Sequence, residues 1–164
     1  MTLETQINES IIGDFLNFNR NIVEMPSRMT VPHEVEMDTC EYDVVYEEDR
    51  IRMLHYKPIT QKQINIPLVI SYAIVNRYHI FDIDPKKSWI RHMLESGIDV
   101  YMIDWGTPTK MDKFLGFDEY VNGYLDNCIE NVCDRSSVEQ VSLQGYCTGG
   151  TLATVYSSLH PEKV

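Results

Sequence analysis

Hydrophobic positions recur at helical spacing over residues 4–24, where Ile7, Ile11, Phe15, Phe18 and Ile22 share one face. This predicts an amphipathic helix, weakened a little by Gly13 and ended by Met25-Pro26-Ser27, with Val31-Pro32-His33 continuing as loop. The period then changes to two. Tyr42, Val44 and Tyr46 alternate with Asp43, Val45 and Glu47, and Ile51, Met53 and His55 alternate with Arg52, Leu54 and Tyr56. With Glu48-Asp49-Arg50 as the turn, this reads as an antiparallel hairpin with one face partly solvated.

From Pro67 to Val75 the sequence is almost continuously apolar, as in a strand buried on both faces. Asp84-Pro85 supplies a helix cap and a first-turn proline, Trp89, Ile90, Met93 and Leu94 give the helical stripe, and Gly97 gives the stop. Ile98 to Ile103 is the next strand. Phe117, Tyr120, Val121, Tyr124, Leu125, Cys128, Ile129 and Val132 define a helix over 117–133, in which Cys128 belongs to the core stripe. A strand over Val138 to Leu143 and a helix over Thr148 to Leu159 complete the chain. Strand and helix alternate three times after residue 67, which is the pattern of a parallel sheet with helices on both faces. We expect residues 1–35 to be a helical and loop lead-in. Residues 36–164 would then be the sheet core of one catalytic domain, up to and including the last helix.

Composition narrows the function classes. A net charge of −11 repels phosphate backbones, so nucleic acid is not expected as a partner. The first residues carry no basic and apolar leader, and the apolar stretch from Ile66 to Val75, about ten residues, is far short of the roughly 20 that span a bilayer. The chain therefore reads as cytoplasmic. Cys40, Cys128, Cys133 and Cys147 form no CxxC pair and have no clustered His, so neither a metal nor a cofactor is expected.

The chemistry concentrates in Gly145-Tyr146-Cys147-Thr148-Gly149-Gly150, between a predicted strand and a predicted helix. This is the context of a nucleophile elbow, with Cys147 as nucleophile. The sharp turn leaves no room for side chains at Gly145 and Gly149, with Gly150 the third glycine of the motif. The helix N-terminus favours negative charge beside it, and the N–H of Thr148 is placed to stabilise an oxyanion. A second donor is expected from the loop after the first parallel strand, and the backbone N–H of Asn76 is the candidate. Arg77 is a candidate contact for substrate phosphates. His79 is close in sequence, but in this fold the catalytic His follows the nucleophile. His160 does follow it, yet at the far end of a helix about 18 Å long. Asp104 reads as a loop hydrogen bond or cap and Trp105 as packing.

From about Leu68 onward the sequence resembles polyhydroxyalkanoate synthases of the class III type, which work with a partner subunit. The resemblance rests on Tyr72-Ala73-Ile74-Val75-Asn76-Arg77, on Val100-Tyr101-Met102-Ile103-Asp104-Trp105-Gly106, and on the elbow. It implies an α/β-hydrolase-type fold cut short after the elbow helix. It also implies polymerisation of (R)-3-hydroxyacyl-CoA through a Cys-bound acyl group, and a location at polyester granules. The family's Asp and His would lie beyond Val164, so the chain is expected to be an incomplete piece, inactive alone. The elbow is shared with dienelactone hydrolases, which gives a Cys hydrolase as one alternative; an inactive remnant or granule-binding module is the other.

Overall fold

The computed structural model describes residues 37–61 and 64–164, and the helix expected over 4–24 lies outside them. Within the unit Glu36–Val164, five strands form one mixed sheet: β1 (Tyr42–Glu48), β2 (Ile51–Tyr56), β3 (Leu68–Ser71), β4 (Val100–Asp104) and β5 (Ser142–Gly145). Their order is β1-β2-β4-β3-β5. The hairpin forms as expected and joins the sheet through β2, which pairs antiparallel with β4. Strands β4, β3 and β5 are mutually parallel. The period-two pattern of β1 is interrupted by a bulge between Val44 and Tyr46. The bulge lets the consecutive residues Val45 and Tyr46 both pack on the same core.

Alternation in the central strands sorts side chains into two cores. Ile51, Met53, Val69, Tyr101 and Ile103 face the helices α2 (Asp126–Ser136) and α3 (Thr148–Leu159), meeting Leu125, Cys128, Ile129, Leu152 and Tyr156. Leu54, Tyr56, Ile70, Val100 and Met102 face α1 (Trp89–Glu95) through Ile90 and Leu94. Helices therefore cover both faces, as the sequence pattern predicts. Cys128 is fully buried, and burial pushes its thiol up to about 12.

Several boundaries differ from expectation. Strand β3 ends at Ser71, because the chain leaves the sheet and folds into a turn closed by Asn76 N–H to the Ala73 carbonyl at 3.4 Å. A 3-10 helix, Tyr78–Asp82, follows. Helix α1 is capped by Ser88, whose hydroxyl accepts from Arg91 N–H, and Asp84-Pro85 forms a separate turn. Gly97 does end α1, at φ +78°, with Ile98 N–H returning to the Met93 carbonyl. The helix expected over 117–133 begins with a π-helical segment, Glu119–Leu125, before α2. Strand β5 starts four residues later than expected. Val138 and Val141 donate instead to the carbonyls of Cys133 and Lys163, which keeps them out of the ladder.

Candidate active site

Strand β5 delivers the chain to the C-terminal ends of the parallel strands, where Gly145 stands opposite Ser71. Tyr146 N–H donates to the Ser71 carbonyl at 3.0 Å, pinning the turn to β3. Cys147 then adopts φ +56° and ψ −126°, and α3 starts at the next residue. A non-glycine residue there carries backbone strain of about 1–3 kcal/mol. Two short bonds hold it, Gly149 N–H to the Tyr146 carbonyl at 3.0 Å and Gly150 N–H to the Cys147 carbonyl at 2.9 Å. The result is an exposed thiol at the positive end of a 12-residue helix.

The glycines are unequal. A Cβ on Gly145 would stand 2.4 Å from Gly150 Cα, and one on Gly149 would stand 2.0 Å from the Ser71 carbonyl oxygen. One on Gly150 meets nothing closer than 3.5 Å. Only the first two are required by space.

Thr148 follows the thiol, and its N–H lies in the first turn of α3, where no helical carbonyl can accept it. Its hydroxyl accepts from the Ile74 N–H at 3.3 Å, which brings the loop after β3 against the elbow. Asn76 lies further along that loop, with its N–H turned toward Ala73 and its side-chain oxygen accepting from Arg77 N–H. Arg77 donates to the Thr107 hydroxyl at 3.0 Å. Ile74, Asn76, Arg77, Gly106, Thr107 and Pro108 line a small cavity of about 150 Å³. Clefts of about 400 and 590 Å³ beside Arg91 and Glu130 have no elbow residue in their walls.

The described histidines are engaged elsewhere. His79 pairs with Asp38 at 2.7 Å, and His55 pairs with Asp99 at 2.7 Å while stacking on Tyr101. His92 bonds the Ser88 carbonyl, and His160, past the far end of α3, bonds Asn122. Asp104 is buried, takes Arg52 at 2.5 Å and caps Gly106 N–H. Trp105 is buried and donates to the Tyr72 carbonyl at 2.8 Å. Among the described residues, then, Cys147 has no hydrogen-bonded base. Among them, too, no cluster fit to hold a metal ion occurs, and no helix is long and apolar enough to cross a membrane.

The sequence reading missed the aromatic residues beside the thiol. Tyr146 stacks on Tyr72, and Phe81 meets both edge-on. Burial pushes the Tyr72 phenol up. It also missed Asp82, which is buried and accepts from the Thr39 hydroxyl and Cys40 N–H, each at 2.6 Å. The signal available was an acid inside the apolar run Ile80-Phe81-Asp82-Ile83.

Two family models match. Residues 16–93 match the poly-beta-hydroxybutyrate polymerase (PhaC) N-terminus, and residues 67–164 match the alpha/beta hydrolase fold. The chain is 45% identical over 131 residues to a poly(3-hydroxyalkanoate) polymerase subunit PhaC of Haloferax mediterranei, covering 80% of this chain and 27% of that protein. It is 42% identical over 157 residues to the subunit of the same name from Thiocystis violacea, covering 95% and 44%. The chain thus spans less than half the length of either relative. A putative lipase from Sulfolobus solfataricus superposes with TM-score 0.53 at 18% identity, over 75% of this chain and 47% of the lipase, a likeness of fold.

Proposed function

The chain belongs to the α/β-hydrolase fold family and, within it, to the poly(3-hydroxyalkanoate) polymerases, and we propose that Cys147 is the nucleophile through which the whole protein polymerises (R)-3-hydroxyacyl-CoA. The observation that carries this reading is the strained, exposed Cys147 on an elbow locked by Gly145 and Gly149.

The reaction runs in two steps. The Cys147 sulfur attacks the thioester carbon, an S–C bond forms, and the S–C bond to coenzyme A breaks. The proton lost by the Cys147 thiol leaves on coenzyme A. Exchange of one thioester for another is nearly isoenergetic, so the acyl-enzyme keeps its activation. The hydroxyl of an incoming unit or chain then attacks the Cys147 thioester, an ester forms, and the thiol is restored.

The Thr148 N–H serves as one oxyanion donor at the helix start. For the second donor the choice lies in the loop after β3. Each N–H of that loop is already bonded, Asn76 to the Ala73 carbonyl and Ile74 to the Thr148 hydroxyl, so either must leave its partner to serve, and Asn76 remains the donor proposed. Arg77, beside the cavity at Thr107, is the contact for substrate phosphate. By the resemblance, the general base and its supporting acid are residues of the whole protein beyond this chain, and among the described residues each histidine is committed elsewhere. The chain alone is accordingly inactive. Residues 36–164 are the first part of one catalytic domain, with 1–35 as its lead-in. The whole protein works in the cytoplasm with a class III partner subunit, at polyester granules. The relatives' names favour synthesis over the hydrolase and remnant readings.

The test is coenzyme A release from (R)-3-hydroxybutyryl-CoA by the whole protein with its partner subunit. Release accompanied by insoluble polyester supports the reading. Release that yields only free hydroxybutyrate makes the protein a hydrolase instead.

A further inference from the structure

Tyr146 immediately precedes the nucleophile and keeps 48% of its surface exposed, although its ring belongs to an aromatic group. It stacks on Tyr72 with centroids 5.4 Å apart and planes 22° from parallel. Phe81 meets Tyr146 edge-on at 5.5 Å and Tyr72 edge-on at 5.3 Å. Each ring thus touches the other two, and Trp89 supports Phe81 from behind at 5.3 Å. Tyr72 is 2% exposed, so the triangle has its back in the core and, at the surface, the ring of the residue next to Cys147.

This triangle is anchored on each side. Tyr146 is tied by its N–H to β3. Phe81 belongs to the 3-10 helix Tyr78–Asp82, whose Asp82 carboxylate holds the Thr39 hydroxyl and the Cys40 N–H. His79 of the same helix holds Asp38. Phe81 and Tyr72 fill the space behind the Tyr146 ring, so the ring cannot rotate inward toward the core.

We propose that Tyr146, backed by Tyr72 and Phe81, limits the length of the side chain carried on C3 of the hydroxyacyl group. The inference rests on the reading that Cys147 takes up a 3-hydroxyacyl group. In that acyl-enzyme C3 is three bonds from the Cys147 sulfur, within reach of the neighbouring residue's ring. A methyl on C3 fits alongside the ring. Each further methylene must push against a ring backed by Tyr72 and Phe81.

The test compares kcat/KM for (R)-3-hydroxyhexanoyl-CoA and (R)-3-hydroxybutyryl-CoA in the whole protein with its partner subunit. The wild type favours the four-carbon substrate. Tyr146→Ala raises the six-to-four ratio by about tenfold or more, the scale on which hydrophobic pockets discriminate methylenes. Tyr146→Phe keeps the wild-type ratio, because the ring and not the hydroxyl does the limiting. Phe81→Leu removes the backing without changing any elbow residue, and shifts the ratio in the same direction by a smaller factor. It is the deciding variant if Tyr146→Ala fails to fold, as a melting curve reveals. Equal losses on both substrates in Tyr146→Ala and Phe81→Leu overturn the inference while leaving the polymerase reading intact, as does a wild type that already favours the longer substrate. A wild type that releases no coenzyme A from either substrate overturns the polymerase reading, and this inference with it.

Discussion

Adding one methyl group at Gly149 or at Gly150 separates steric necessity from mere presence in a glycine-rich motif. In Gly149→Ala the new Cβ would stand 2.0 Å from the Ser71 carbonyl oxygen and 2.5 Å from that of Tyr72. Both obstacles are backbone atoms at the end of β3, which is flanked by β4 and β5 and cannot retreat. Overpacking of this kind costs about 3 kcal/mol or more, of which about 1 kcal/mol is offset by the better helix propensity of alanine. A net loss of about 2 kcal/mol corresponds to a fall in melting temperature of about 2–4 °C in a whole protein more than twice this chain's length. In Gly150→Ala the nearest atom is 3.5 Å away, an ordinary contact. Only the propensity gain remains, so the melting temperature holds or rises by up to about 2 °C. Thermal unfolding of the two variants of the whole protein followed by circular dichroism reads the contrast. Equal losses in both would refute the claim that the clash with β3 dictates Gly149.

Two further outcomes are expected. Cys147 is exposed while Cys128 is fully buried with its thiol pushed up to about 12, so an aromatic disulfide reagent labels Cys147 first and Cys128 only on unfolding. Peptide mapping of the labelled protein that found Cys128 modified in the folded state would contradict the packing of α2. At Asp126, burial alone would raise the carboxyl, but Lys163 and the Tyr156 hydroxyl, each at 2.6 Å, together with His160 hold it below its ordinary 3.8. A lowered carboxyl contributes stability that is present above its unfolded value and lost as the pH falls through its folded one. Urea midpoints therefore drop as the pH falls below about 4, and Asp126→Asn drops less steeply; identical slopes in the two proteins would show that the Lys163 pair adds nothing.

How much of this was legible in the sequence varies by element. Helix α3 was read to its last residue, because the elbow glycines fix its start and His160-Pro161 its end. The elbow turn at Cys147 was legible for the same reason, since Gly145 and Gly149 have the spacing of a tight strand-to-helix turn. The two-core sheet followed from the apolar runs, whose residues fall alternately on the α2/α3 face and the α1 face. Strand ends were less legible. Val138 to Leu143 has the composition of a strand, yet a bond from Val138 back to the end of α2 at Cys133 and one from Val141 to Lys163 hold its first half out of the sheet. Likewise Ile74 and Val75 look like strand, but Val75 is 84% exposed in the loop that approaches the elbow. The π-helical turn at Glu119–Leu125 shares its apolar spacing with an ordinary helix at this length, so periodicity alone does not separate them. The Tyr72, Phe81 and Tyr146 group joins three separate segments, and only the folded backbone brings them together.

The central claim is that an acyl group is carried on Cys147. Its most direct measurement is peptide mass spectrometry of the whole protein, mixed with (R)-3-hydroxybutyryl-CoA and quenched in acid within the first turnovers. The account predicts hydroxyacyl groups on the peptide containing Cys147, lost on treatment with hydroxylamine and absent from Cys147→Ala. An acyl group found on a different residue, or equal labelling in Cys147→Ala, would contradict it.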